Sequence, residues 1–88
     1  MPHGIEWTGP ALCALERLPG KVSAAVVELV YGGLADAPAR VGRPLRWQLE
    51  GLHSARRGDY RVAYRIDDDR RMVVVEAIAH RSDIYRTS

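Results

Sequence analysis

SARRGDYRVAYRI, residues 54–66, is the stretch on which the fold turns. Its second half alternates with a period of two. Tyr60, Val62, Tyr64 and Ile66 fall on one side, and Arg61, Ala63 and Arg65 on the other. Successive side chains of a strand point to opposite faces, so this segment reads as a β-strand with one face in a core. Gly58 and Asp59 supply a turn before it, and residues from about 52 to 57 read as the preceding strand. Two arginines then share the second face. Either that face is simply solvated, or it meets negative charge.

Downstream, DDDRR is a polar hairpin turn, and MVVVEAIA (72–79) is a nearly continuous apolar run. Such a run suits a central strand covered on both sides. The tail HRSDIYR begins where that strand ends. Upstream, LADAPARVGRPLR (34–46) carries two prolines and a glycine, which predict a surface loop crossing from helices to sheet. Before it, Val22, Ala25, Val26, Leu29 and Val30 form the apolar face of a helix over about 20–31, which Gly32 and Gly33 are expected to end. An earlier helix reaches about Leu18, with Leu12, Leu15 and Leu18 at three-residue spacing. Thr8 caps it, Pro10 sits in its first turn, and Pro19-Gly20 breaks it. HGIEWT (3–8) is a short strand with Ile5 and Trp7 on one face.

The order is therefore β-α-α-β-β-β with a short C-terminal segment. This predicts an α+β fold, with two N-terminal helices packed on a four-stranded, mostly antiparallel sheet. The far face of the sheet is left partly open, and Arg61 and Arg65 belong to it. Residues 1–88 are expected to form a single small domain. Apolar residues make up 47% of the chain and no low-complexity run interrupts it, which excludes a disordered segment.

The one cysteine, Cys13, excludes an intramolecular disulfide, and its apolar neighbours predict a small buried thiol. The first ten residues do not read as a signal peptide, and no apolar run is long enough to span a membrane, so a cytoplasmic location is expected. The net charge of +2 conceals an asymmetry: residues 1–39 carry −2 and residues 40–88 carry +4. A basic half on a small domain points to a polyanionic partner. Twelve of the thirteen basic residues are arginine and eleven residues are alanine, so arginine number reflects composition. Arginine placement carries the information.

The segments PLRWQLEG, SARRGDYRVAYRIDD and MVVVEAIAHRSDIYR together resemble the RelE branch of the RelE/ParE toxin superfamily, over about residues 10–87. The resemblance implies a toxin of a type II toxin–antitoxin pair that enters the ribosomal A site and cuts mRNA there. It implies a RelB-like antitoxin as partner, wrapped over the RNA-binding surface, and the ribosome with its mRNA and rRNA as target. Carried over residue by residue, it makes Arg61 and Arg81 contacts to the phosphate at the cut. Tyr85 becomes the C-terminal aromatic that stacks on or orients the nucleotide. Some members carry lysines where Leu52 and Ser54 stand here, and Arg56 and Arg57 follow closely as partial replacements. A ParE-like gyrase inhibitor and a catalytically decayed, antitoxin-binding member are the competing functions.

In the expected reaction the RNA 2′-hydroxyl attacks the adjacent phosphorus. The extra negative charge must be neutralised and the leaving 5′-oxygen protonated. Arginine suits the first task, because guanidinium stays charged and its planar fork matches phosphate oxygens. No metal or other cofactor is needed, and His3, His53 and His80 are far apart in sequence. The catalytic set expected is Arg61, Arg81 and Tyr85, with Arg56, Arg57, His53, His80 and Arg65 as RNA contacts. Arg40, Arg43 and Arg46 are either further rRNA contacts or plain loop charges. Arg61 has a bland alternative, an ion pair across the sheet with Glu76. Arg65 has the alternative of a solvated neighbour. His80 is expected on the strand face opposite Arg81 if the strand continues that far.

Overall fold

The computed structural model of the chain describes residues 3–44 and 51–80. Strand β1 (Gly4–Trp7) is followed by helices α1 (Gly9–Arg17) and α2 (Gly20–Glu28), then a short helix α3 (Pro38–Val41). Strands β2 (Arg43–Pro44), β3 (His53–Arg57), β4 (Tyr60–Asp67) and β5 (Met72–His80) complete the order. The sheet has five strands in the order β1-β5-β4-β3-β2. Expected as four-stranded, it gains β2. It is mixed, because β1 runs parallel to β5 while the other pairings are antiparallel. The α+β class stands.

Local chemistry explains the helix boundaries. Thr8 caps α1 by accepting the Ala11 N–H at 3.2 Å, and its own hydroxyl donates to the Glu76 carbonyl at 3.1 Å. The cap thereby ties the helix to β5. In α1 the buried position is Ala11, with Ala14, Leu15 and Leu18 packed beside it. That phase turns Leu12 and Cys13 outward, so the buried thiol expected from the neighbours of Cys13 is instead exposed. Gly32 and Gly33 do not end α2. The chain continues through them as a π-helical segment, Leu29–Leu34. The wider turn keeps both Val30 and Leu34 fully buried, and that burial outweighs the helix-breaking tendency of two glycines. The expected loop at 34–46 contains α3 and β2.

The core lies between the helices and one face of the sheet. Val26, Val30 and Leu34 meet Val62, Tyr64, Val73 and Val75, all fully buried. Each such aliphatic side chain contributes roughly 1.5–3 kcal/mol by leaving water. Strand β5 keeps its phase only to Val75. Ala63 pairs with Ala77 but Tyr64 pairs with Val75, so Glu76 is an extra residue in a β-bulge. After the bulge Ile78 takes the core-facing position, and Ala77 is exposed. The continuous apolar run is thus two phased halves joined by a bulge. It is covered fully on one face and not on both.

Two turns set the hairpins. Gly58 has φ +61° between β3 and β4, which a first central glycine tolerates in a two-residue hairpin loop. Between β4 and β5 the left-handed position falls on Arg71, at φ 55°. A side chain there costs roughly 1–2 kcal/mol per residue. Glycine removes that cost but adds unfolded-state entropy. Arg71→Gly is therefore expected to stabilise the fold by about 0.5–1 kcal/mol, seen as a higher urea midpoint at constant slope.

Candidate phosphate-binding cleft on the open sheet face

The two-residue turn at Gly58-Asp59 fixes the register of β3 on β4: Arg57 opposes Tyr60 and Arg56 opposes Arg61. Like charges directly opposite on an antiparallel pair are destabilising by roughly 0.2–1 kcal/mol. Among the described residues no carboxylate forms an ion pair with either arginine. Arg56 is held by its own Nε–H, which donates to the Gly58 carbonyl at 3.1 Å. The Nε of Arg61 is buried and makes no hydrogen bond. A buried donor without an acceptor is uncommon and calls for an explanation.

Strand β2 adds a third guanidinium. Arg43 opposes Ser54, which places it on the same face of the sheet. Arg43, Arg56 and Arg61 line a cleft of about 490 Å³ together with Val41 and Ser54. Ser54 opposes Ala63 on the next strand. Small residues thus lie between the arginines and leave room above the sheet. Among the described residues, the charged groups lining this cleft are guanidiniums only.

The remaining sequence-derived candidates lie elsewhere. Arg65 shares the open face but is paired with Glu76, Nε to Oε2 at 3.3 Å, and does not line the cleft. The ion pair considered for Arg61 is therefore made by Arg65, because the bulge sets Glu76 beside it. His53 and His80 sit with the tyrosine row on the helix-covered side. His53 stacks on Tyr64 with ring centroids 5.5 Å apart, and His80 meets Tyr60 edge-on at 5.2 Å. His80 opposes Tyr60 and so lies on the face away from Arg56 and Arg61. Arg57 alternates with Arg56 and is exposed at the strand end. Arg81 and Tyr85 lie outside the described residues, as do Arg46 and Trp47.

Behind the cleft, Tyr64 is fully buried and its hydroxyl donates to the Pro38 carbonyl at 2.5 Å. Burial raises its phenol above the ordinary value, against an opposing pull from the Gly42 backbone. Among the described residues, no group of three His, Cys, Asp or Glu side chains is placed to hold a metal. None of the described helices is long and apolar enough to cross a membrane.

A helical hairpin thus packs on one face of a largely antiparallel sheet, and among the described residues Arg43, Arg56 and Arg61 on the other face have no ion-pair partner. The chain belongs to the ParE toxin family of type II toxin–antitoxin systems, whose family model matches residues 5–85. It is 54% identical over 85 residues to toxin RelE of Mycobacterium tuberculosis, covering 97% of this chain and 88% of that one. It is 50% identical over 86 residues to toxin RelG of the same organism, covering 98% and 99%. The toxin–antitoxin complex RelBE2 from M. tuberculosis contains a chain that superposes with a TM-score of 0.88 at 47% identity, covering 94% of this chain and 95% of that one. With relatives of this identity over nearly the whole chain, the protein is a RelE-type toxin. The isolated E. coli RelE toxin matches with a TM-score of 0.75 at 18% identity, over 96% of this chain and 92% of that one, and shares the fold.

Proposed function

We propose that this toxin is an endoribonuclease that cuts mRNA in the ribosomal A site, with the arginine cleft as the seat of the scissile phosphate. The observation that carries the reading is the Arg56–Arg61 pair. Among the described residues, two guanidiniums face each other without a carboxylate between them, and Arg61 keeps a buried donor unused. A phosphate would satisfy both, since its oxygens accept from the planar forks and its charge removes the repulsion.

In the reaction, the 2′-hydroxyl loses its proton as its oxygen bonds to phosphorus, and the P–O5′ bond breaks with the departing oxygen taking up a proton. Arg61 and Arg81 neutralise the charge that builds on the non-bridging oxygens. Arg56 holds the same phosphate from the facing strand, and Arg57, at the strand end, contacts the flanking RNA. Tyr85 orients the 2′-hydroxyl or takes part in proton transfer, and rRNA completes the site. A RelB-like antitoxin is the natural partner, since the RelBE2 relative is a toxin–antitoxin complex. By covering the basic face, it would silence the toxin.

Mapping mRNA 5′ ends after induced expression tests this reading. Codon-phased cuts confined to translated messages are expected. Supercoiling defects with intact messages would instead favour a gyrase-directed toxin. Arg65, committed to Glu76, supplies an internal control: Arg65→Ala is expected to keep cleavage within about twofold of wild type, measured by primer extension on programmed ribosomes.

A further inference from the structure

The cleft has a wall that the proposed chemistry does not use. Segment 38–43 reaches it from the helical side of the molecule. Pro38 and Gly42 are buried while Ala39, Arg40, Val41 and Arg43 are exposed. Two of the contacts that hold this segment fall on one side chain. The Tyr64 hydroxyl donates to the Pro38 carbonyl, and its tip lies against Gly42 closely enough to leave no space for a side chain there. The next residue, Arg43, enters the sheet opposite Ser54. Arg43 is thereby the diagonal neighbour of Arg56 across the β2–β3 pair, at roughly 7–8 Å, within reach of long side chains. Among the described residues it has no ion-pair partner, and it lines the same cleft as Arg56 and Arg61.

We propose that Arg43 is a further RNA-binding residue, taking the phosphate next to the one held by Arg56 and Arg61, and that Tyr64 positions it through its clamp on Pro38 and Gly42. This rests on the cleft being an RNA site. Arg56 and Arg61 oppose each other on adjacent strands and act on one phosphate. Arg43 is offset along the sheet by two residues of β3, so it reaches a second phosphate. Tyr64 touches no RNA, because it belongs to the buried face. Its part is to fix where β2 begins.

The test is equilibrium binding of a short single-stranded RNA, made uncleavable by 2′-O-methyl groups, at several salt concentrations. Each phosphate contact in a single strand contributes about 0.7 to the slope of log K against log salt. Arg43→Ala is expected to weaken binding about tenfold at low salt and to reduce the slope by about 0.7. Arg43→Lys is expected to keep the slope and lose about threefold in affinity, because it retains the charge and loses the fork. Tyr64→Phe is expected to weaken binding in the wild-type background and to change nothing once Arg43 is alanine. A purely structural tyrosine would add its effect in both backgrounds. The proposal is overturned if Arg61→Ala weakens binding while Arg43→Ala leaves affinity and slope unchanged. If Arg61→Ala also has no effect, the cleft is not the RNA site, and the functional reading fails with it.

Discussion

Replacing Arg61 with alanine is expected to lower ribosome-dependent mRNA cleavage about a hundred- to a thousandfold, the usual cost of removing one preorganised donor from a developing oxyanion. The same change should leave the fold intact. Arg61 opposes Arg56, and removing one of two facing like charges relieves roughly 0.2–1 kcal/mol of repulsion. Thermal unfolding should therefore show a midpoint equal to or above that of the wild type. Loss of activity without loss of stability separates a functional arginine from a structural one. Arg61→Lys should fall between, because an ammonium keeps the charge but cannot present two parallel donors. Wild-type cleavage rates by Arg61→Ala on programmed ribosomes would remove this residue from the mechanism.

Gly42→Ala is expected to be the most damaging single methyl that the fold can receive outside its aliphatic core. The added Cβ would fall inside the van der Waals shell of the Tyr64 hydroxyl and 2.9 Å from the Ser54 carbonyl oxygen. Tyr64 is fully buried and stacked on His53, so its ring has nowhere to retreat. Overpacking of this kind costs about 2–3 kcal/mol. For a chain of this size, that lowers the unfolding midpoint by about 10–20 °C. Combining Gly42→Ala with Tyr64→Phe should recover part of the loss, since removing the hydroxyl vacates the space the methyl needs. Full additivity of the two changes would show that they do not share the contact.

What the sequence made legible follows from period and turn chemistry. Strand β4 was readable because tyrosines and valine alternate with arginines over seven residues. The Arg56–Arg61 pair follows from the same stretch, since a two-residue turn at Gly58-Asp59 leaves one register. Strand β5 was readable as a strand but not in phase. An apolar run gives no alternation to betray the bulge at Glu76, and so Glu76 could be weighed as a partner for Arg61, whereas it pairs with Arg65. Strand β2 was not readable at all. Two residues, one of them proline, carry no period, and their pairing depends on the distant anchor at Tyr64. Arg43 was therefore visible only as one of several loop arginines. Cys13 was misplaced because its apolar neighbours suggested burial, whereas the phase of α1 follows Ala11.

The parallel pairing of β1 with β5 has a consequence for how the toxin comes into being. Strand β5, which lies between β1 and β4, is the last of the described strands to be synthesised, and it joins the first to the rest. Until residues 72–80 emerge, β3 and β4 form a hairpin with only the two residues of β2 beside it, and β1 has no partner. Contacts between chain ends also close late, because the entropy of the intervening loop must be lost first. A prematurely terminated message would therefore release a harmless fragment. The sheet that carries the arginine cleft is joined up only once β5 has been made.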